Sequence, residues 1–377
     1  MIEYVEIRNQ NREIAGICDE YKSIIWRVDY YGTGDFEIYA PCTALNLNLL
    51  SLGNYVTRPD DVNVGIIETL QYTYNATDGR MIVASGRFAK SILDRRVIYR
   101  LTGTNQISAT MLNGNVETTA RSIITMNAID CSFDSARNIP VLVLGAHSGS
   151  TQTIVDADGN ATTQQVAYKN LLDWTNEFLK KYKIGARIVL NANKEFEFVC
   201  YEGIDRTVGN AGNNDVVIFS QDFENLISSE YIVDMTKYKN AAVVSGEGYG
   251  LAKFAAIFEY ASITGLDRRE IVVDESETAK KYIDSGGNEI TLTNSQYTGN
   301  LRAIGAQKLA ELPIVETFDG EINLNSLTFK YKTNYNIGDI VTVQDSDTKL
   351  YSNVRIIEIC EVSDDKGYQI TGKYETD

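Results

Sequence analysis

The chain has 377 residues, 44% of them hydrophobic and 23% charged, which suits two or three globular domains and excludes disorder over most of the length. Acidic residues outnumber basic ones 51 to 35, for a net charge of −16. A field of that sign repels phosphate and disfavours a grip on nucleic acid, though not the passage of DNA nearby.

In chain order, the first segment reads as β structure. Trp26, Val28 and Tyr30 alternate, Tyr31-Gly32-Thr33-Gly34-Asp35 is a turn, and Phe36, Ile38 and Ala40 alternate again until Pro41 stops the strand. A second hairpin runs from residues 65–74 through Asp78-Gly79 to residues 81–84. A short helix is expected near 88–99, and another over 116–129, where Val116, Ala120, Ile123, Ile124 and Ala128 share a face behind the cap residue Asn115. The strongest helical spacing lies over 165–182, with Ala167, Leu171, Trp174, Phe178 and Tyr182 on one face. Thr162 and Gln165 suggest a capping box there, and Gly185 lies just past the end. A hairpin follows, Ile188 and Leu190 against Phe196, Phe198 and Cys200, then short strands at 216–219 and 241–245. A helix over 299–312 carries Leu301, Ile304, Leu309 and Leu312 and ends at Pro313. The last part is nearly all β: Leu327, Phe329 and Tyr331, then 340–343, 354–362 and 368–374, with Asp364-Asp365-Lys366-Gly367 as the final turn. Only 4 prolines occur and no tether separates domains, so the domains are expected to adjoin or interleave.

Chemistry-bearing patterns are few. Cys18, Cys42, Cys131, Cys200 and Cys360 are dispersed, which argues against a disulfide framework or thiolate metal cage and for small buried hydrophobes. The single histidine, His147, excludes a two-imidazole zinc site. It sits in a Gly/Ser-rich stretch without the Gly-x-Ser-x-Gly spacing and reads as a loop residue. Ser245-Gly246-Glu247-Gly248-Tyr249-Gly250 reads as a turn between strands rather than a phosphate cradle, and Asp156-Ala157-Asp158-Gly159-Asn160 as a polar loop tip rather than a calcium loop. Asp94-Arg95-Arg96 and Asp267-Arg268-Arg269-Glu270 read as ion-pair networks. With 51 acids, chance carboxylate pairs of glycosidase type are plentiful, and sequence alone does not select one. The 23 tyrosines suit strands and protein interfaces. No catalytic, cofactor-binding or metal-ligating residue is assigned, and no cofactor is expected. With no run of about 18 apolar residues, no membrane insertion is expected. Residues 1–10 lack the apolar core of a signal peptide, so folding in a cytoplasm is expected.

Several strings, in order along nearly the whole chain, resemble one family. They are Tyr21-Lys22-Ser23-Ile24-Ile25-Trp26, Gly34-Asp35-Phe36-Glu37, Gly65-Ile66-Ile67-Glu68, Gly86-Arg87-Phe88 and Leu93-Asp94-Arg95-Arg96. Further on come Gly203-Ile204-Asp205-Arg206-Thr207, Phe219-Ser220-Gln221-Asp222-Phe223-Glu224-Asn225-Leu226, Tyr238-Lys239-Asn240-Ala241, Gly246-Glu247-Gly248, Arg268-Arg269-Glu270 and Ile337-Gly338-Asp339-Ile340-Val341-Thr342-Val343. They look like the baseplate or tail-tip hub proteins of long-tailed phages, the siphovirus type. The resemblance implies a mainly β fold with a few helices (α+β), built as two interleaved tube-type β-barrel domains, 1–164 and 165–377, in a homotrimeric ring. It implies a structural hub and adaptor at the tail tip or baseplate of a virion, or of a phage-derived tail-like particle, assembled in the host cytoplasm. Its partners would be tail-tube or distal-tail protein rings and a central spike or fibre, with DNA passing through the lumen without specific binding. Relatives of this type often carry a C-terminal peptidoglycan hydrolase or receptor-binding domain. Here a strand runs directly to Asp377, so lytic or host-recognition activity is not expected. The rival readings are a tail-associated cell-wall hydrolase, against which the lone histidine counts, and a secreted carbohydrate-binding module, against which the absent signal peptide counts.

Overall fold

In the strands Ser23–Asp29 and Asp35–Pro41 every second residue turns inward, so Ile24, Trp26, Val28, Phe36, Ile38 and Ala40 are buried. The computed structural model describes residues 2–102, 106–155, 159–283, 289–322, 328–344 and 351–376. The two strands pair from Ser23↔Tyr39 to Arg27↔Asp35. Asp29 closes the turn by accepting the backbone N–H of Tyr31 at 2.9 Å and of Gly32 at 2.5 Å. Asp35–Pro41 pairs next with Gly79–Arg87, and that strand with Thr69–Asn75.

The expected strand over 65–74 is divided between two ladders. Gly65–Ile66 joins Tyr55–Thr57, Val5–Arg8 and Ile14–Cys18 in a four-stranded sheet, whereas Thr69–Asn75 pairs with Gly79–Arg87. The two sheets approach closely at Gly86, where an added Cβ would lie 1.8 Å from the Ile66 carbonyl oxygen; only glycine fits there.

The late strand Tyr351–Asp364 joins the ends of the chain. Its first residues pair with Ile340–Gln344, its later ones with Ser23–Asp29 from Glu358↔Asp29 to Asp364↔Ser23, and its opposite edge with Gly367–Thr376. A register irregularity between Ile356 and Glu358 marks the change of partner. The main strand order is then Leu226–Asp234, Val315–Ile322, Gly367–Thr376, Tyr351–Asp364, Ser23–Asp29, Asp35–Pro41, Gly79–Arg87, Thr69–Asn75, every neighbouring pair antiparallel. Residues 354–362 therefore lie beside strands begun more than half the chain earlier. One core collects Val5, Trp26, Phe36 and Ile82 with Phe219, Val343, Ile359 and Tyr374.

Helix α1, Ala44–Leu49, lies over the small sheet. A second core forms around α2, Val116–Ile124, and α3, Leu171–Lys181. Asn115 caps α2 as expected, accepting Thr118 N–H at 2.9 Å, and a π-helical turn at Thr125–Ile129 extends it. The helix expected over 165–182 begins only at Leu171, because Gln164–Val166 is a strand paired with Thr110–Leu112. Its cap is Asn170, which accepts Leu172 N–H at 2.8 Å and Asp173 N–H at 3.2 Å, not the expected Thr162 and Gln165 pair. Its end is a Schellman turn: Lys183 takes φ 55°, its N–H reaches Lys180 O at 2.9 Å and Ile184 N–H reaches Leu179 O at 3.1 Å. Leu171, Trp174 and Phe178 face the core, and the two aromatic rings stack at 4.7 Å. The sheet of this unit is Leu142–Leu144, Phe196–Tyr201 and Gly185–Leu190, and the helix expected near 88–99 is a 3-10 helix at Ala89–Arg95. The position between residues 164 and 165 falls inside the strand Gln164–Val166, and this core draws on both sides of it.

The third core packs α4, Asn294–Ala310, on the strands Ala255–Glu259, Ala241–Ser245 and Glu270–Asp274. α4 starts earlier than the expected residue 299, because Thr293 and Gln296 form a capping box. Phe329 and Tyr331, expected in a strand, belong to no strand. Tyr331 makes only an isolated bridge to Tyr335 across a turn, and both side chains pack on the first core. Leu327 lies outside the described residues.

Candidate interaction site between the first two cores

A groove of about 840 Å³ runs between the first two cores. One wall carries Glu6, Arg8 and Thr57 from the small sheet; the other carries Arg187 and Val189 from Gly185–Leu190 and Val199 and Tyr201 from Phe196–Tyr201. The bridge Asn63↔Val189 and the ion pair of Lys194 with Glu13, 3.1 Å, link the walls.

Most charges of the groove are answered internally. Arg8 donates to Glu6 at 2.9 Å and to Thr57 Oγ1 at 3.0 Å. Arg58 grips Glu361 with two hydrogen bonds and Asp60 with two more, its guanidinium 5.3 Å from the Trp26 ring. Lys332 adds contacts to Asp60 at 3.2 Å, Asp61 at 2.9 Å and Glu361 at 3.2 Å, and Tyr368 donates its hydroxyl to Glu361. Burial opposes the Arg58 charge, but Glu361 and Asp60 outweigh it and hold the guanidinium above its ordinary range. Asp60, against the cost of its partial burial, is kept below the usual carboxylate range by Arg58 and Lys332.

His147 lies in a loop, as the sequence suggested, with Nδ1 2.9 Å from the buried carboxylate of Glu117. Glu117 also accepts Ser148 N–H at 2.9 Å and the Ser148 hydroxyl. The serine thus donates to the carboxylate rather than to the imidazole, which is not the arrangement of a nucleophile and its base.

Arg187 differs from the other cations of the groove. Its guanidinium lies 4.3 Å from the Tyr201 ring centroid, and its buried Nε has no hydrogen-bond partner among the described residues. No sequence pattern points to it, since its groove-facing position depends on packing between distant strands.

Elsewhere the expected ion-pair clusters form only in part: Asp94, Arg268 and Glu270 are paired, whereas Arg96 and Arg269 donate to the backbone carbonyls of Arg137 and Met235. Arg87 joins Glu68 at 2.8 Å and Asp94 at 2.9 Å, and Arg268 joins Glu259 and Glu270. Residues 245–250 connect Ala241–Ser245 to Ala255–Glu259, as expected of a turn; residues 156–158 of the expected polar loop lie outside the described residues. Cys18, Cys131 and Cys200 are buried, and Cys42 and Cys360 are half-buried, all as free thiols. No described helix is long and apolar enough to cross a membrane.

The architecture is that of phage tail proteins. The chain is similar to the 43 kDa tail protein of prophage MuSo2 from Shewanella oneidensis, at 12% identity and a TM-score of 0.56, with 99% of this chain and 98% of that one covered. It is similar to a tail protein from Neisseria meningitidis MC58, at 12% identity and a TM-score of 0.54, covering 99% and 96%. A third likeness is to prophage tail protein gp18 from Listeria monocytogenes EGD-e, at 11% identity and a TM-score of 0.50, covering 98% and 94%. No curated protein matches the sequence. The chain belongs to the siphovirus ReqiPepy6 Gp37-like protein family, whose model matches residues 4–372. That siphovirus family is in accord with the resemblance in its sequence.

Proposed function

We propose that the chain is the hub of a phage tail tip or baseplate, a homotrimeric adaptor that joins the tail tube to a central spike or fibre and has no enzymatic activity. The observation that supports this reading most is the layout of the main sheet. The early half places an inner hairpin, Ser23–Asp29 with Asp35–Pro41, beside an outer one, Thr69–Asn75 with Gly79–Arg87. The late half repeats that layout: inner Tyr351–Asp364 with Gly367–Thr376, outer Leu226–Asp234 with Val315–Ile322. The halves meet as antiparallel neighbours at Val28 and Ile359, and the strand order reads alike outward from that pair, with the late outer strands joined through the third core rather than by a hairpin. Two similar units per subunit, repeated three times, present six near-equivalent contacts to a six-fold tube and three to a three-fold spike.

Each half ends in an open strand edge, Thr69–Asn75 and Leu226–Asp234, with exposed apolar side chains such as Tyr74 and Val233. Such edges favour pairing with another chain. Three copies carry 3 × (−16) = −48 formal charges, which leaves DNA in a lumen without an adsorption site. The rival reading of a cell-wall hydrolase draws no support from the groove, whose lining carboxylates Glu6 and Asp61 are held in ion pairs with Arg8 and Lys332. Light scattering on the purified protein is expected to give three times the chain mass; a monomer at micromolar concentration would refute the hub. A zymogram is expected to show no clearing of cell walls.

A further inference from the structure

We propose that the groove between the first two cores is the receptor for an extended acidic segment of a neighbouring protein, and that Arg187 takes a carboxylate of that segment. The groove, at about 840 Å³, has the size of a built binding site rather than of a packing defect. Arg8, Arg58 and Lys194 spend their charge on Glu6, Glu361 and Glu13. The Nε of Arg187 is shielded from water and so from any ligand. Arg187 has no carboxylate partner among the described residues, and an incoming one would meet its Nη groups at the groove lining. A carboxylate suits it, because the guanidinium fork offers parallel N–H donors to two oxygens.

Tyr201 supports this role. Its ring holds the guanidinium from one face at 4.3 Å, which fixes the plane of the fork. Burial pushes the Tyr201 phenol up, so it stays neutral and does not itself supply the missing anion. The walls beside Arg187 are aliphatic, with Val62, Val64, Val189 and Val199, and fit apolar side chains that flank an acidic one. Arg187 also lies on the outer strand of its sheet, whose edge Asn63 meets only at Val189, so the groove runs beside an extended backbone. A segment that alternates apolar and acidic residues matches both features. The proposal is independent of the trimer, because one subunit supplies every residue named.

The test uses the full chain and a fluorescein-labelled hexapeptide of alternating valine and glutamate. Its valine and glutamine counterpart serves as the control, with binding read by anisotropy. Wild type is expected to bind the glutamate peptide, more weakly as salt rises, and the glutamine peptide about tenfold less well or worse. Arg187→Gln should lose that preference, and Arg187→Lys should keep part of it. Val189→Trp, which fills the groove and keeps Arg187, should block both peptides and guards against an unfolded Arg187 variant. Failure of the glutamate peptide to bind wild type, equal binding of the two peptides, or undiminished binding by folded Arg187→Gln would overturn the proposal. A change of oligomeric mass in Arg187→Gln would assign the groove to a second copy of this chain and overturn it equally.

Discussion

Arg58 and Glu361, 303 positions apart in the chain, meet as a two-pronged ion pair, Nη1 to Oε1 at 3.2 Å and Nη2 to Oε2 at 3.0 Å. Both side chains are 2% exposed. Removing Arg58 leaves the buried Glu361 with Lys332 and Tyr368 alone, so Arg58→Met is expected to cost about 3 kcal/mol, the low end for a broken buried pair, in urea denaturation. The double variant Arg58→Met with Glu361→Leu should recover most of that loss. A single variant as stable as wild type would show that the pair is not buried in solution.

Trp174 stacks on Phe178 inside the second core. Trp174→Ala should destabilise the protein by about 3–5 kcal/mol, read from the urea midpoint. A cost below about 1 kcal/mol would contradict the packing of α3 against its sheet.

Lys90 is buried and donates to Tyr31 O at 2.8 Å and Gly32 O at 3.1 Å. Burial lowers its pKa from 10.5 to about 8. Between those values the unfolded chain holds the proton and the folded chain does not, so this group adds stability as pH rises through the window. Comparison with Lys90→Met isolates the effect from the tyrosines. The wild type should gain about 2 kcal/mol relative to the variant between pH 8 and pH 10. A constant difference would show that Lys90 titrates as it does in water.

Burial pushes the thiols of Cys18 and Cys200 up to about 12, so neither offers a thiolate near neutral pH. Mass spectrometry after brief alkylation of the native protein should find label on Cys42 or Cys360 before Cys18, Cys131 or Cys200, and on all five only after unfolding. Rapid native labelling of Cys18 or Cys200 would contradict this.

Local pattern carried much of the fold. Period-two burial at Ile24 to Val28 and the hairpin at Ile188 to Cys200 were legible, because their cause lies within a few residues. The start of α3 was not legible. The spacing of Ala167 and Leu171 suits a helix, but pairing of Gln164–Val166 with Thr110–Leu112 claims the backbone first. The strand expected through Phe329 and Tyr331 failed for a similar reason: the aromatics are buried through a turn, and burial alone does not set a period. The groove was invisible, since its charges combine residues such as Glu6, Arg58 and Arg187 that only the tertiary fold brings near one another.

The late strand Tyr351–Asp364 also sets a timetable for synthesis. Ser23–Asp29 leaves the ribosome early, yet one of its edges waits for a partner that comes near the end of translation. Tyr21 and Ser363, in contact through their hydroxyls, are 342 positions apart. At about 5–20 residues per second the wait is roughly 17–70 s. Throughout that interval Trp26 and its neighbours have neither the strand nor the late half of the core that finally covers them. The nascent chain is then a natural client for a chaperone that shields unpaired strands, and a ribosome that stalls late releases a product whose first hairpin stays sticky.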